Sequence, residues 1–512
     1  MWASTCRGKL DVSLRQCTSP CAKRKGRWPS EARSLDKKVS VCQVMNTAKL
    51  FEKKKIPRKG KKEQGLSLEA KDKRYLWHPF TQMKDWQEEE TLIIRRGRGV
   101  YLEDTEGRRY LDGVSSLWCN LHGHAVPELD QALKDQLAEV AHSTFLGLSN
   151  IPAIELGERL IKIAPKGLTR VFYSDSGSEA VEIALKMAYQ FWRLKGSLEK
   201  NRFVKLNHAY HGDTLGAVSV GGMDLFHEIF KPLLFKTFTV PSPYRYRWPS
   251  GPDPERVREE SLDAMEAVLA EHHAEIAALV MEPVMQGAAG MIDQPKGYIS
   301  RARELTRKYN VLLIFDEVAT GFGRTGRMFA SDHEKVTPDL MTVAKGLTGG
   351  YLPLAATLTT EEIYEAFLGE YAACKTFFHG HTYTANPLAC KVALANLDLF
   401  EKKSVLKELE PKIRLFEKRL REFYQIPCVG DIRQVGLMAG IELVKDRVTK
   451  APFALEEKIG IRVIKRARQK GAILRPLGSV IVLMPPLSIR ERELEDLLAI
   501  TYEAIAETMH EY

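Results

Sequence analysis

The chain has 512 residues, 44% of them hydrophobic, which is enough for two or three domains with a large buried core. It contains no apolar stretch of about 18 residues, so we expect no membrane-spanning helix. The net charge of +10 comes from residues 1–64, which carry 18 Lys and Arg against 5 Asp and Glu. The nearly neutral remainder argues against a nucleic-acid-binding surface.

Residues 1–70 form a basic segment with weak hydrophobic periodicity, which predicts a largely disordered extension. The segment has no apolar signal-peptide core, so we expect no secretory signal. We favour a translation start placed too far upstream, with Met45 as the true initiator and a cytoplasmic enzyme. The alternative is an organellar transit peptide, because the first 50 residues contain Arg and Ser and few acids. A nucleic-acid-binding tail fits less well.

The eight cysteines show no metal-ligand spacing. They are Cys6, Cys17, Cys21, Cys42, Cys119, Cys374, Cys390 and Cys428. Cys17 and Cys21 are close together, but no matching Cys/His pair follows them. The pattern predicts no metal site and is typical of a reduced intracellular enzyme.

Ordered structure is expected to begin near Tyr75. The short apolar segments 100–102 and 109–111 flank a turn and predict a β-hairpin. From Asp112 to about residue 360, helices alternate with short apolar strands. This alternation predicts an α/β fold with a mostly parallel sheet.

The chain beyond about residue 390 is helix-rich, with strands predicted near 438–443 and 480–484. No internal repeat interrupts the body of the sequence.

The most informative residues are an acid and an amine at the ends of two apolar runs. Residues 311–315 end in Asp316, and residues 340–344 end in Lys345. Such runs are typical of buried parallel strands, whose carboxyl ends form the ligand crevice of an open sheet. We therefore expect Asp316 and Lys345 to face one crevice. A structural ion pair is the alternative for these two residues alone.

A predicted strand at 170–172 leads into the segment 173–179, which opens an amphipathic helix. Gly177 and Ser178 at the helix start offer backbone N–H groups, a hydroxyl and the positive end of the helix dipole, which suit a phosphate. An ordinary helix cap explains the same residues if they are considered alone.

A second polar segment, 208–213, follows the predicted strand 203–206. Tyr210 there is suited to cover a planar ligand, with Asp213 beside it. The alternative is a polar loop with a packed tyrosine.

Residues 321–326 form a G-x-G-x-x-G pattern, which is the basis of an alternative hypothesis, a dinucleotide-dependent oxidoreductase. The pattern lacks the expected context. A loop separates it from the strand, no clear helix opens at its last glycine, and no strand-end acid lies at the usual distance.

Taken together, the strand-end acid and lysine, the phosphate-ready helix start and the ring-covering tyrosine suit one ligand. It is a phosphorylated, basic, planar heterocycle with an aldehyde, and pyridoxal 5'-phosphate has these parts.

Two stretches, 315–326 and 344–350, resemble class III aminotransferases of the pyridoxal-phosphate fold-type I superfamily. The resemblance extends from about Tyr75 to about residue 505. It implies an α/β fold with a seven-stranded, mostly parallel sheet in a large domain, 125–385. A smaller α+β domain would combine residues 75–124 with 386–512.

Further segments are similar to one branch of this family, which aminates 8-amino-7-oxononanoate to 7,8-diaminononanoate in biotin biosynthesis. The segments are 77–82, 112–118, 379–383 and 474–478. This similarity implies a homodimer with small-molecule substrates and active sites at the subunit interface. S-adenosylmethionine would be the amino donor, with lysine as the alternative.

The resemblance also implies individual roles. Lys345 would bind the cofactor covalently and later move a proton, Asp316 would hold the pyridine nitrogen protonated, and Tyr210 would stack on the ring. Further cofactor contacts would come from Gly177, Ser178, Val318, His381 and Thr382, with Thr382 reaching the phosphate from the partner subunit. The substrate site would be lined by Phe80, Leu117, Trp118, Tyr210, Asp213, Arg324, Gly380 and Arg475, with Arg475 binding a carboxylate.

Two positions depart from the family pattern. Many relatives have Tyr where this chain has Phe80, and Trp where it has Leu117. The changes remove a hydroxyl donor and a flat surface, so they leave the amino donor open.

Three alternative functions remain at this level. The first is another class III transaminase, acting on ω-amino acids or diamines. The second is the dinucleotide oxidoreductase. The third is a non-enzymatic descendant of the fold, against which the presence of both Asp316 and Lys345 argues.

Overall fold

The computed structural model describes residues 66–511, which fall into two units divided after Pro79. Most of the predicted extension, residues 1–65, lies outside the described residues. In the first unit a helix, α1, begins at Leu68 and ends at Tyr75. Regular structure therefore starts earlier than expected, because Ser67 caps this helix by accepting a hydrogen bond from Ala70 N at 3.1 Å.

The second unit begins at Phe80 and contains the remaining elements. Its helices are α2 (Met83–Glu88), α3 (Ser115–Trp118), α4 (Pro127–Glu139), α5 (Ile151–Ile163), α6 (Gly177–Leu194), α7 (Leu215–Ser219), α8 (Asp224–His227), α9 (Pro254–His272), α10 (Tyr298–Lys308), α11 (Glu361–Ala366), α12 (Pro387–Lys402), α13 (Val405–Glu422), α14 (Ile459–Gln469) and α15 (Glu491–Met509). Among residues 66–511, no helix has both the length and the apolar character needed to cross a membrane.

The strands of this unit form several sheets. They are β1 (Ile94–Arg98), β2 (Tyr101–Asp104), β3 (Arg109–Asp112), β4 (Leu168–Ser174), β5 (Arg202–Leu206), β6 (Phe238–Val240), β7 (Ile276–Met281), β8 (Met285–Gln286), β9 (Ile292–Asp293), β10 (Leu312–Asp316), β11 (Leu340–Val343), β12 (Ala355–Thr360), β13 (Val429–Val435), β14 (Met438–Leu443), β15 (Ala472–Ile473), β16 (Arg475–Leu477) and β17 (Val480–Leu483).

The largest sheet has seven strands in the order β4-β12-β11-β10-β7-β5-β6. Strand β12 runs antiparallel to both neighbours, and the other pairs are parallel. The predicted α/β class with a mostly parallel sheet is confirmed. Because β10 and β11 are parallel neighbours, their carboxyl ends reach the same edge of the sheet.

Helices cover both faces of this sheet, which explains why its central strands are continuous apolar runs. Along β10, Leu312 and Ile314 pack with α6 on one face, while Leu313 and Phe315 pack with α9 and α10 on the other. The predicted apolar face of α6 is buried as expected. Burial on both faces fixes the register of β10 and so the position of its last residue, Asp316.

Two smaller sheets contain the terminal parts of this unit. The predicted hairpin β2–β3 is antiparallel, and β3 pairs in parallel with β15 near the C-terminus. The four antiparallel strands β13-β14-β17-β16 form the other sheet, which includes the two strands predicted near 438–443 and 480–484. Residues far apart in sequence therefore meet next to the large sheet.

Candidate active site

Asp316 and Lys345 line the same cavity, as the sequence predicted. Asp316 ends β10, and Lys345 begins a 3₁₀ turn two residues after the end of β11. The cavity has a volume of about 680 Å³ and is bordered by the start of α6 and the segment around Tyr210. A cavity of this size at the carboxyl edge of a parallel sheet can hold a cofactor and a small substrate.

Asp316 is buried and held in place from three directions. His211 Nδ1 lies 2.7 Å from Asp316 Oδ2, and because a carboxylate only accepts, the imidazole nitrogen donates. The backbone N–H of Val318 and the hydroxyl of Thr342 donate to Oδ1, at 3.0 and 3.4 Å. The Asp316 carboxyl group is therefore held in a fixed position in the cavity, where it is suited to pair with a protonated ring nitrogen.

Burial lowers the pKa of the Lys345 amine, although the nearby Asp316, Glu282 and Cys119 oppose that shift. The Nζ atom lies 5.6 Å from the ring centroid of Trp118. A lowered pKa increases the fraction of neutral amine at physiological pH, which is the form that attacks a carbonyl or accepts a proton. The position of Lys345 suits both steps.

The start of α6 forms a cradle with free backbone amides. Ser176 and Glu179 cap the helix by hydrogen-bonding to each other's backbone N–H groups. The next two residues, Gly177 and Ser178, border the cavity. In the first turn of a helix, the backbone N–H groups have no carbonyl acceptor within the helix. Those of Gly177 and Ser178 are therefore available to an anion. The predicted cap and the predicted phosphate site are therefore the same structure.

Two glycines allow the segments around this helix start to pack closely. A Cβ atom at Gly177 would lie 2.6 Å from Val318 Cγ1. Gly212 has a φ of 117°, and a Cβ there would lie 2.4 Å from Ser178. The free amides, the glycine contacts and the strand-end Asp316 fit the phosphate, ring and nitrogen of pyridoxal phosphate.

Tyr210 and Val318 both border the cavity. The Tyr210 hydroxyl donates to Asp213 Oδ2 at 2.8 Å, and its backbone N–H donates to Glu282 Oε2 at 3.2 Å. Burial, followed by the bond to Asp213, raises the pKa of Tyr210, so the phenol stays neutral. Its ring is thus anchored at both ends beside the cavity.

Glu282 is a residue of the cavity that the sequence analysis missed. It is buried, accepts a hydrogen bond from Gly287 N at 2.8 Å, and has a pKa raised by burial to about 7. A signal was present, because Glu282 directly follows the apolar run of β7, the neighbour of β10. Asp316 was identified as a polar residue at the end of an apolar strand, and Glu282 meets the same description. His211 was also missed as the partner of Asp316.

Seven predicted site residues lie outside this cavity in the described chain: Phe80, Leu117, Arg324, Gly380, His381, Thr382 and Arg475. Arg475 and Phe80 lie together near Tyr210. The guanidinium carbon of Arg475 is 5.9 Å from the Phe80 ring centroid, and its charge acts on the Tyr210 hydroxyl. These two residues therefore lie close to Tyr210, which borders the cavity.

Arg324 is not exposed to the cavity, in contrast to the expectation of a substrate-lining residue. It is 1% exposed and donates to the carbonyls of Pro485, at 2.7 Å, and Asn120, at 2.8 Å. Burial lowers its pKa to about 10. In this conformation Arg324 ties together two backbone segments behind Trp118.

The segment 380–382 lies beyond the phosphate cradle. Gly380 and Thr382 are exposed, and His381 Nδ1 is 3.8 Å from a carboxylate oxygen of Glu179. His381 therefore lies near the start of α6.

The G-x-G-x-x-G segment 321–326 does not open a helix. It runs through turns into a 3₁₀ turn, Ala330–His333. Buried Glu317 holds this loop by accepting hydrogen bonds from Ala330 N at 2.9 Å and Ser331 N at 2.8 Å. The geometry lacks the helix start on which a dinucleotide phosphate would bind.

Glu317 leads to a prediction about pH and stability. Burial raises the pKa of this carboxyl to about 7, above the value of about 4.3 expected in the unfolded chain. The folded protein therefore holds the proton more tightly, and this contribution to stability is lost as pH rises through about 7. We expect Glu317→Gln to flatten the fall in the free energy of unfolding between about pH 5 and pH 8. If denaturant titrations gave the same pH dependence of the free energy of unfolding for both proteins, the prediction would be wrong.

Comparison with known proteins identifies the family to which this fold and cavity belong. A family model described as aminotransferase class-III matches residues 83–505. The chain belongs to this family, whose members use pyridoxal phosphate.

Individual relatives indicate a particular branch. The chain is 54% identical to the adenosylmethionine-8-amino-7-oxononanoate aminotransferase of Geobacter sulfurreducens, over 83% of this chain and 94% of the relative. It is 55% identical to the protein of that name from Anoxybacillus flavithermus, over 86% and 96%.

Solved structures agree. The structure with the same name from Methanocaldococcus jannaschii is 50% identical, has a TM-score of 0.83, and is matched over 86% of this chain and 98% of its own. An omega transaminase from Pseudomonas jessenii, in complex with PMP, is 34% identical with a TM-score of 0.83, over 87% and 99%.

Proposed function

We propose that this enzyme transfers an amino group to 8-amino-7-oxononanoate, forming 7,8-diaminononanoate in biotin biosynthesis. The observation that carries the proposal is the cavity shared by Asp316 and Lys345 at the ends of two adjacent parallel strands. The substrate follows from relatives that are 54–55% identical over most of both chains and are named for it.

Bound pyridoxal phosphate supplies an aldehyde that takes up an amino group and a protonated ring that withdraws electrons. We assign to Asp316 the task of holding the proton on the ring nitrogen, with His211 fixing the carboxylate at 2.7 Å. We assign to Lys345 the covalent attachment of the cofactor and then the transfer of a proton at the reacting carbon.

The remaining cofactor contacts follow from position. Gly177 and Ser178 would bind the phosphate with their backbone amides, and Ser178 Oγ is held at 2.8 Å from Thr214 Oγ1. Tyr210 and Val318 would pack on the ring. The side chains of Ser178 and Tyr210 are each held by a hydrogen bond to a second residue.

The substrate would enter past Trp118, Phe80 and Arg475. We propose that the Arg475 guanidinium binds a substrate carboxylate, since burial in an apolar entrance lowers its pKa and strengthens its need for a counter-charge. Asp213 would orient Tyr210, and Arg324 would act indirectly by holding the carbonyl of Asn120 behind Trp118.

We further propose a homodimer in which Thr382 of the partner subunit reaches the phosphate, with Gly380 and His381 beside it. Two stretches of the single chain, 146–154 and 378–383, expose large apolar side chains. These are Leu146, Leu148, Ile151, Ile154, Phe378 and Tyr383. Large exposed apolar side chains are typical of a surface that a partner covers when they cluster together. A monomer by analytical ultracentrifugation at micromolar concentration would contradict the proposal.

The domain division also remains a proposal. We place the large domain at 125–385 and a smaller one at 75–124 with 386–512. The pairing of β3 with β15 supports the second, because it joins the two terminal parts.

The proposed function is tested by product formation. Purified enzyme with pyridoxal phosphate and 8-amino-7-oxononanoate is incubated with S-adenosylmethionine or with lysine, and 7,8-diaminononanoate is measured by mass spectrometry. We expect product with S-adenosylmethionine. Lysine remains the alternative donor, because Phe80 and Leu117 alter the entrance.

The second candidate is a transaminase of ω-amino acids or diamines, which the likeness to the Pseudomonas jessenii enzyme favours at lower identity. Turnover of such amines with no use of 8-amino-7-oxononanoate would establish it in place of the first.

We expect removal of residues 1–65 to leave kcat and KM within about twofold, because every side chain of the described cavity lies beyond them. A larger loss would show that this segment contributes to activity. We propose a cytoplasmic location, or an organellar one if residues 1–50 direct import. Fractionation of cells that express the full chain distinguishes the two.

A further inference from the structure

The turn α3 has an unusual backbone for a segment without glycine. Its four residues, Ser115 to Trp118, have φ values of 51°, 49°, 77° and 69°. Side chains of L-residues disfavour this left-handed region, and four in succession are rare. The turn must therefore be stabilised by contacts outside its own backbone.

The main external contact is Asp112, the last residue of β3, which is 1% exposed. Its Oδ1 accepts from Ser116 N at 2.8 Å, and its Oδ2 accepts from Ser116 Oγ at 2.7 Å. His124 Nε2 lies 3.1 Å from the same Oδ2. On the other side, Ser115 Oγ donates to Met484 O at 2.6 Å. The turn is clamped between two strands.

The turn decides which of two adjacent side chains faces the cavity. Leu117 is 50% exposed and lies outside the cavity, whereas Trp118 is 6% exposed and lines it. The Trp118 ring faces the Lys345 amine at 5.6 Å. Its buried Nε1 has no acceptor among the described residues.

We propose that Asp112 is a positioning residue for the substrate site. By holding Ser116 in the left-handed turn, it directs the Trp118 indole towards Lys345 and so forms the substrate-binding wall. Asp112 itself lies outside the cavity and acts through this turn. The inference rests on the proposed function, because it takes the cavity as the site for 8-amino-7-oxononanoate.

The first test compares Asp112→Ala with Asp104→Ala. Asp104 is a matched control, since it is equally buried at the end of β2 and accepts from Glu106 N, Arg108 N and the Tyr110 hydroxyl. We expect Asp112→Ala to raise the KM for 8-amino-7-oxononanoate about tenfold or more, with pyridoxal phosphate still bound. Asp104→Ala should lower only the melting temperature. Equal KM values in the two variants would refute the proposal.

A rescue experiment separates positioning from general stability. Adding Ser116→Gly to Asp112→Ala should bring the raised KM most of the way back to that of the unaltered enzyme. Glycine adopts positive φ without a Cβ clash. Adding Ser116→Ala instead keeps the Cβ and should recover nothing. Equal effects of the two additions would overturn the proposal. Asp112→Asn keeps one acceptor oxygen and replaces Asp112→Ala if the latter does not fold, with a smaller expected rise in KM.

A measurement independent of turnover uses tryptophan fluorescence of the holoenzyme. Acrylamide should quench Asp112→Ala more strongly than the unaltered enzyme, and the difference should disappear when Trp118→Phe is present in both. A difference that persists without Trp118 would contradict the proposal. If the unaltered enzyme does not use 8-amino-7-oxononanoate, the proposed function fails, and the quenching comparison still decides the role of Asp112.

Discussion

Replacing Lys345 with alanine is expected to reduce kcat by about 10⁴-fold or more, because both covalent attachment and proton transfer are assigned to its amine. Pyridoxal phosphate should still bind through the start of α6 and the pair with Asp316, so the variant should contain the cofactor without turning over. Stopped-flow kinetics and the cofactor content of dialysed protein measure the two effects separately.

Lys200 provides a matched control. It is also a buried lysine, with its pKa lowered by burial to about 8, but its amine donates to the carbonyls of His273, Ile276 and Asn310. Lys200→Ala should lower the melting temperature and leave kcat per folded enzyme within about twofold. Substantial turnover by Lys345→Ala, or an equal loss in both variants, would remove Lys345 from the mechanism.

Asp316→Asn is expected to lower kcat/KM by about 10²- to 10³-fold. The amide is neutral, so it no longer stabilises a proton on the ring nitrogen, and the ring withdraws electrons less well. The substitution also changes the partner of His211 Nδ1. In the unaltered protein, this nitrogen donates to a carboxylate oxygen of Asp316 at 2.7 Å. The pH dependence of the visible absorption of the bound cofactor should change together with the rate.

Asp339→Asn controls for the loss of a partly buried, hydrogen-bonded carboxylate next to a strand of the same sheet. Asp339 precedes β11 at the opposite edge and accepts from Arg303 Nη1 at 2.6 Å and Leu313 N at 2.7 Å. This variant should be less stable but retain its rate per folded enzyme. If Asp316→Asn kept the full rate with an unchanged spectrum, the assigned role of Asp316 would be wrong.

The strands that position Asp316 and Lys345 were predictable because their local sequence and tertiary environment agree. Each strand is buried on both faces, so the apolar run itself marks its extent, and the polar residue at its end marks the edge of the sheet. The helix start at Gly177 was predictable for a similar reason, since its cap lies within four residues. Local signals were sufficient for the cofactor end of the site.

The substrate end was less predictable because long-range contacts determine it. The acceptors of Arg324 are 161 and 204 residues away, so no local signal indicated that its guanidinium points into the interior. The left-handed turn at Ser115–Trp118 contains no glycine, the usual signal for positive φ. Its contact with Asp112 is local, but the Met484 carbonyl that accepts from Ser115 Oγ is 369 residues away in the sequence.

We propose that Lys345, Asp316 and the start of α6 hold pyridoxal phosphate for amino transfer to 8-amino-7-oxononanoate. The most direct test records the visible absorption of the purified holoenzyme while S-adenosylmethionine or lysine is added without acceptor, and then after 8-amino-7-oxononanoate is added. We expect the cofactor band to fade with a donor and to return with the acceptor. A protein that shows no cofactor band after incubation with pyridoxal phosphate would contradict it.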